Sequence, residues 1–158
     1  MKVGIASDKS GFPLKEVVKA HLIEKGHEVL DLGQLKMEDE WVYYYVGASR
    51  VAKAILSGQV KKGILICGTG AGMNIAANKF KGIYAVSVEG IYSAKSCAFI
   101  NGANVITMGR RIVGDGMACE MTDEFLKYEA GDTLAPETAK ICSFQAEGLV
   151  AMEKENFR

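Results

Sequence analysis

Short apolar runs alternate with longer amphipathic segments along most of this chain. Five of the runs are predicted strands: KVGIAS (2–7), HEVLDLG (27–33), GILIC (63–67), GIYAVSV (82–88) and ANVITMG (103–109). The segments between them predict helices, because their apolar residues recur at helical spacing. Strands and helices that alternate at intervals of roughly 30 residues indicate βαβ crossovers and a parallel sheet. We therefore expect an α/β fold, a doubly wound sandwich with helices on both faces of a five-stranded parallel sheet.

The end of the chain predicts one more helix after the sandwich is complete. Pro136 suits the first position of a helix, and the apolar residues that follow form a stripe over about 136–155. This helix either covers an edge of its own sheet or packs on a partner subunit, and both readings stay open. No linker or repeat interrupts the pattern, so we expect one domain over residues 1–158.

Composition excludes several classes of function. The 19 basic residues balance the 19 acidic ones, so we expect no nucleic-acid partner. No apolar run approaches the roughly 20 residues of a membrane span or resembles a signal peptide, which predicts a cytoplasmic protein without a membrane partner. The four cysteines are scattered and only two histidines accompany them, so we expect free thiols, no metal site and no cofactor.

The stretch ILICGTGAGMN (64–74) is the most informative local feature, because a predicted strand ends in a cysteine that leads into three glycines. Met73 breaks the G-x-G-x-x-G pattern of dinucleotide sites, and no Lys-Ser/Thr pair completes a P-loop. What remains is a turn whose backbone N–H groups, with the start of the next helix, cradle a phosphate or a developing oxyanion.

The same electrostatic field would favour the thiolate form of Cys67, and Thr69 places a hydroxyl within reach of whatever the thiol touches. The alternative is that Cys67 is a small apolar residue that merely ends a strand. The residues by themselves leave both readings open.

The segment ILICGTGAGMNIAANKFKGIYAV (64–86) resembles the central signature of the type B ribose-5-phosphate isomerase and galactose-6-phosphate isomerase family. The similarity extends to SDKSGF (7–12), AILSGQV (54–60), YSA (92–94) and NVITMGRRIVG (104–114). It implies a Rossmann-like sandwich, a homodimer or a dimer of dimers, no metal, and interconversion of an aldose and a ketose through an enediol.

The resemblance also implies roles for individual residues. Cys67 corresponds to the base that moves a proton between C1 and C2 of the sugar, and Thr69 to a residue that assists it. The amides of Gly68, Gly70 and Gly72 would hold the developing enediolate.

Further substrate-binding roles follow for residues outside the glycine turn. Asp8 would contact sugar hydroxyls, Tyr44 falls on an active-site tyrosine, and Asn101 matches the asparagine of an active-site His-Asn pair. Asn74 stands where the family usually has serine and keeps a polar group there.

Three departures from the family concern its substrate contacts. Lys9 replaces a histidine that helps to bind phosphate, and Ile100 stands in place of the histidine credited with opening the sugar ring. Asp132 and Pro136 lie in a segment where the family carries two arginines that clamp phosphate. Lys9 either compensates as a point charge or is a solvated surface lysine.

These features predict an aldose–ketose isomerase that acts on a pentose phosphate or a tetrose phosphate with Cys67 as its base. A tetrose with phosphate on C4 cannot close a furanose ring, so it would need no ring-opening histidine at position 100. An unphosphorylated sugar or a uronate would instead explain the missing arginines. A non-catalytic sugar-binding subunit is the remaining alternative.

Overall fold

Five parallel strands form the central sheet of the computed structural model, which describes residues 1–157. The strands are β1 (Lys2–Ser7), β2 (Glu28–Asp31), β3 (Lys62–Cys67), β4 (Ala85–Ser87) and β5 (Val105–Gly109). Their order across the sheet is β2-β1-β3-β5-β4, and every pair is parallel. All five strands therefore end at one edge of the sheet, which we call the carboxyl edge, and β3 lies at its centre.

Helices cover both faces of the sheet. The covering helices are α1 (Phe12–Glu24), α2 (Tyr44–Leu56), α3 (Ala71–Ala77), α4 (Ile91–Phe99) and α5 (Asp115–Lys127), and a further helix, α6 (Pro136–Asn156), follows them. One apolar core joins α1, α4 and α5 to the sheet, and a second joins α2 and α3 to its other face. This three-layer arrangement confirms the predicted α/β sandwich.

Strand β3 supplies side chains to both cores, which explains its unbroken apolar sequence. Ile64 and Ile66 belong to the core beneath α1, α4 and α5, whereas Leu65 and Cys67 belong to the core beneath α2 and α3. Cys67 is therefore placed by the alternation of the strand, at its last position and on the side of α3.

The two edge strands are shorter than the sequence predicted. Strand β2 has four residues and β4 has three, and each pairs with one neighbour only. After β2 the chain turns tightly against β1, where a Cβ on Gly33 would lie 2.3 Å from the amide nitrogen of Ser7. Helix α3 begins at Ala71, directly after the glycine turn, and spans seven residues.

Helix α6 begins at Pro136 as predicted, but none of its residues is buried. Its stripe residues stay open to solvent, with Ile141 60% and Phe144 77% exposed. Near its end, Glu153 accepts hydrogen bonds from the backbone N–H of Gly82 at 2.5 Å and from the Tyr84 hydroxyl at 3.4 Å. The helix therefore touches the region before β4 without covering the sheet edge with its apolar stripe.

No helix within residues 1–157 combines the length and apolar character needed to cross a membrane.

We predict that Gly109→Ala destabilises the fold by about 1–3 kcal/mol, because the new methyl group would overpack a backbone contact. A Cβ on Gly109 would lie 2.6 Å from the Cα of Thr69. The matched control is Gly116→Ala in α5, where nothing lies within 4 Å of the added Cβ. Urea unfolding of both variants tests this, and equal stabilities would contradict the proposed close contact.

Candidate active site

The three central strands bring the main sequence-predicted site residues together at the carboxyl edge. Ser7 pairs with Ile66 and Cys67 pairs with Gly109, so Asp8 follows β1 alongside the end of β3. Ligands of open parallel sheets bind at this edge, where loops leave the strands.

The glycine turn after β3 places a backbone donor on the thiol. The N–H of Gly70 donates a hydrogen bond to Sγ of Cys67 at 3.2 Å, and Cys67 is 5% exposed. Gly70 has φ = +81°, and a Cβ there would lie 3.1 Å from the carbonyl carbon of Met108. Glycine meets both demands at this position, because it tolerates positive φ and carries no side chain. The donor stabilises negative charge on sulfur, which is what a cysteine base requires.

The turn provides a smaller electrostatic field than the sequence suggested. Helix α3 has only about two turns, so its dipole adds little, and the Gly70 amide is already occupied by Cys67. The amide of Gly68 and the exposed side chain of Thr69 lie on the open side of the same turn. Negative charge on a bound ligand would therefore be stabilised by individual groups of the turn rather than by the dipole of a long helix.

Asp8 is buried, and its Oδ1 accepts a hydrogen bond from the N–H of Gly11 at 2.9 Å. Burial raises the pKa of the Asp8 carboxyl, while hydrogen bonds from the backbone N–H groups of Gly11 and Ser10 act in the opposite direction. The loop itself is pressed onto β3, because a Cβ on Gly11 would lie 2.2 Å from the carbonyl oxygen of Ile66. These contacts fix the loop that carries Asp8 against the end of β3.

Tyr44 also borders the turn. It is the first residue of α2, and a Cβ on Gly72 would lie 3.2 Å from its ring. Since nothing but hydrogen projects from Gly72, the ring packs directly on the backbone of the turn. The tyrosine is 42% exposed, so one side of it remains open to a ligand.

Lys9 lies in the loop after Asp8 and reaches an aromatic ring rather than a carboxylate. Its Nζ is 5.8 Å from the centroid of the Trp41 ring, a cation–π distance. Within residues 1–157, none of the ion pairs includes Lys9. Its positive charge is therefore oriented but not neutralised.

The side chain of Asn74 hydrogen-bonds the main chain of β4, whereas the resemblance implied a substrate-binding role for it. Its Nδ2 donates to the carbonyl of Ala85 at 2.9 Å, and Asn78 bonds the same carbonyl at 2.8 Å. The amide group of Asn74 thus ties α3 to β4 in this structure.

Asn101 lies far from Cys67 within one chain. It precedes β5, so it sits at the amino edge of the sheet, whereas Cys67 ends β3 at the carboxyl edge. The 130–132 segment lies beside it, since the N–H of Gly131 bonds the carbonyl of Phe99 at 2.8 Å. Ile100, Asn101 and Asp132 therefore form one group that a single chain does not bring to its own cysteine.

Two side chains outside the predicted set of site residues, Arg111 and Trp41, lie next to the turn and next to Lys9, respectively. A Cβ on Gly68 would lie 3.9 Å from Nε of Arg111 and 3.7 Å from Cβ of Ser10. Arg111 follows β5, so its position two residues after a predicted strand end was the available signal. Trp41 gave no such signal, because it lies in an irregular loop that only the folded chain brings to Lys9.

Burial disfavours the thiolate form of two other cysteines, Cys97 and Cys119. Burial raises the pKa of Cys97 to about 11, although the nearby Lys62 charge opposes the rise. Burial also raises the pKa of Cys119, with Asp123 and Asp115 adding to the effect. Among residues 1–157, no group of three or more His, Cys, Asp or Glu side chains is placed to hold a metal ion.

Residues 3–141 match the family model described as Ribose/Galactose Isomerase. The chain is 50% identical over 126 residues to 4-deoxy-4-sulfo-D-erythrose isomerase of Clostridium sp. (strain MSTE9), covering 80% of this chain and 79% of that protein. It is 45% identical over 132 residues to ribose-5-phosphate isomerase B of Escherichia coli, covering 82% and 87%. A solved structure of Clostridium thermocellum ribose-5-phosphate isomerase B superposes with a TM-score of 0.88 at 35% identity, over 98% of this chain and 99% of that one.

We predict that Cys97 resists alkylation in the folded protein at pH 8. With a pKa of about 11, only about one thiol in a thousand is ionised at that pH, and the thiolate is the reactive form. Iodoacetamide treatment followed by peptide mass mapping tests this, with the urea-unfolded protein as the positive control. Rapid labelling of Cys97 in the folded Cys67→Ala variant would contradict the prediction.

Proposed function

The chain belongs to the ribose/galactose isomerase family, and on that basis we propose that it interconverts the aldose and ketose forms of a four-carbon sugar with an anionic group at C4. The match over residues 3–141 confirms the resemblance seen in the sequence. The isomerase reaction comes from the family; the size and charge of the substrate are argued from the residues of this chain.

The observation that carries the proposal is Ile100. The family resemblance assigns this position to a histidine that opens the sugar ring, and an aliphatic side chain cannot transfer a proton. A tetrose whose C4 bears phosphate or sulfonate has no free C4 hydroxyl with which to close a furanose. Such a substrate is always open, so it needs no proton shuttle. The relative that acts on 4-deoxy-4-sulfo-D-erythrose supports this substrate class.

The two cations near the turn suit an anion that carries a single negative charge. Lys9 and Arg111 border the site, whereas Asp132 lies in the segment where the family carries phosphate-binding arginines. A phosphate monoester carries close to two negative charges at neutral pH. A sulfonate carries one charge and the same three acceptor oxygens. The loss of two arginines with the gain of a carboxylate therefore favours sulfonate over phosphate.

Cys67 acts as the base in the reaction that we propose. The thiolate, held by the Gly70 N–H, removes the proton from C2 of the aldose. The C–H electron pair forms the C1=C2 bond, and the carbonyl pair moves onto O1 to give the enediolate. The thiol then returns the proton to C1, while the C2 hydroxyl loses its proton and O1 gains one.

Other groups of the site hold the substrate during this transfer. Asp8 and Tyr44 face the turn and would bind hydroxyl groups, and Thr69 would relay a proton between O1 and O2. The amides of Gly68 and Gly72 would stabilise the charge on the enediolate oxygens.

A homodimer would complete this site. Asn101 lies at the amino edge of its own chain, out of reach of its own Cys67, so it would reach the cysteine of a partner chain. The exposed apolar stripe of α6 offers a surface for that partner, in keeping with the second of the two readings left open by the sequence. The four free thiols fit a reducing, cytoplasmic location.

We predict that Cys67→Ala lowers kcat by at least about a hundredfold, the range expected for loss of a positioned base. The variant should also lose exchange of the substrate C2 proton with deuterated water, which proton NMR measures directly. Near-normal exchange would contradict the assignment of Cys67 as the base.

The Cys67→Ala variant also tests the shared site. Asn101→Ala chains should be nearly inactive too, but a re-equilibrated equal mixture of the two variants should recover about a quarter of wild-type activity, because half the dimers are hybrids with one intact site. No recovery in a mixture shown to contain hybrids would contradict an active site built from two chains.

We predict that an anionic tetrose is the preferred substrate. A panel should contain tetroses with C4 sulfonate, C4 phosphate or a free C4 hydroxyl, together with ribose 5-phosphate. We expect kcat/KM for the C4-sulfonate to exceed that for ribose 5-phosphate by at least about tenfold.

The matched variant for this panel is Ile100→His, which restores the residue type that the family uses for ring opening. It should improve turnover of ribose 5-phosphate more than turnover of either anionic tetrose. A wild-type enzyme that prefers ribose 5-phosphate would contradict the proposed substrate class.

A further inference from the structure

Gln34 lies in the loop that joins β2 to α2, and its side chain is fully buried. Its Nε2 donates to the carbonyls of Lys36 at 2.6 Å and Glu40 at 3.2 Å. Its Oε1 accepts from the N–H of Val42 at 2.8 Å. One side-chain amide therefore binds both ends of the segment from residue 35 to residue 42, which we call the 35–42 loop.

Gln34 itself is held by the main chain and by a buried lysine. Its N–H donates to the carbonyl of Ser7 at 2.9 Å, one residue before Asp8. Its own carbonyl accepts a hydrogen bond from Nζ of Lys15 at 2.6 Å. Lys15 is 0% exposed and also binds Asp31 at 2.5 Å and Glu16 at 2.8 Å. Gln34 is thus fixed to the end of β1 by its backbone N–H, and its carbonyl is held by a lysine that is itself paired with Asp31 and Glu16.

The 35–42 loop ends in Trp41, the first ring of an aromatic row that continues through Tyr43 to Tyr45 in α2. The rings of Trp41 and Tyr43 stack at 6.5 Å, and those of Tyr43 and Tyr45 at 5.8 Å. Trp41 is 49% and Tyr43 56% exposed, so apolar burial contributes little to holding this row in place. The hydrogen bonds of Gln34 are the buried constraint on the loop that presents Trp41 to Lys9.

We propose that Gln34, locked by Lys15, is a positioning residue that sets recognition of the substrate's terminal anion by holding Trp41 against Lys9. This rests on the proposed function, because it assigns Lys9 to the C4 anion. The ring orients the ammonium without neutralising it, so the charge stays available to a ligand. A lysine that is ordered before binding loses less conformational entropy when the anion arrives.

Gln34→Met tests the proposal, because methionine keeps the length of the side chain and removes the hydrogen bonds of the side-chain amide, while the main-chain bonds to Ser7 and Lys15 remain. We expect KM for the C4-sulfonate or C4-phosphate tetrose to rise about threefold to tenfold with kcat within about twofold of wild type. KM for the tetrose with a free C4 hydroxyl should stay the same, since no anion meets Lys9. The matched control is Gln59→Met, at an exposed glutamine after α2.

A second readout does not need catalysis. Trp41 is the single tryptophan of the chain, so its fluorescence reports the Lys9 contact directly. Titration with sodium sulfate should change the emission of the wild-type protein and should not change that of Lys9→Met. Gln34→Met should require a severalfold higher sulfate concentration for half of the change.

These outcomes separate this inference from the proposed function. An unchanged KM and an unchanged sulfate titration in folded Gln34→Met would overturn the positioning role. An equal rise in KM for the anionic and neutral tetroses would also overturn it, because it would indicate a general structural effect. If the wild type turns over no tetrose but the sulfate titration behaves as described, the proposed function fails while the positioning role of Gln34 stands.

Discussion

The hydrogen bond from the Gly70 amide to Sγ of Cys67 depends on a backbone conformation that only the surrounding strands allow. Residue 70 adopts positive φ, and its α-carbon lies against the backbone of Met108 on β5. Gly109, which pairs with Cys67, lies against the backbone of Thr69 in the same way. Because neither Gly70 nor Gly109 has a side chain, the turn packs closely on the end of β5. This close packing places the N–H of Gly70 where it can donate to Sγ of Cys67.

The same edge of the sheet sets the charge balance of the site. Asp8 contributes a carboxyl group whose pKa is raised by burial and lowered by backbone hydrogen bonds. Lys9 contributes an ammonium group that lies over the Trp41 ring. Arg111 adds a second cation next to Gly68. The sites of family members that bind sugar phosphates gain arginines from elsewhere, according to the resemblance; here the corresponding segment carries Asp132. This charge balance is the basis on which we propose a ligand with a single negative charge.

Much of this arrangement was predictable from local patterns. The short, unbroken apolar run that ends at Cys67 predicted a strand, and the rule that parallel sheets bind ligands at their carboxyl ends predicted where the thiol would lie. Asn101 precedes a predicted strand, which already implied that it lies at the amino edge, opposite to Cys67. The resemblance indicated an active-site role for Asn101 but not this position. The contacts of Lys9, Trp41 and Gln34 were not predictable, because they form between irregular loops in which no periodicity fixes a side chain. Asn74 illustrates a further limit, since its sequence position gave no sign that a carbonyl of β4 would take its amide.

The brevity of the outer strands has a consequence for assembly. Strand β4 offers three residues and β2 four, so neither border presents a long ladder of unpaired N–H and C=O groups. Short borders disfavour the addition of a second sheet by continuous backbone pairing, which is how many β-proteins aggregate or associate. Contacts between two copies would then depend on side chains of helices and loops, whose shape is specific to the partner.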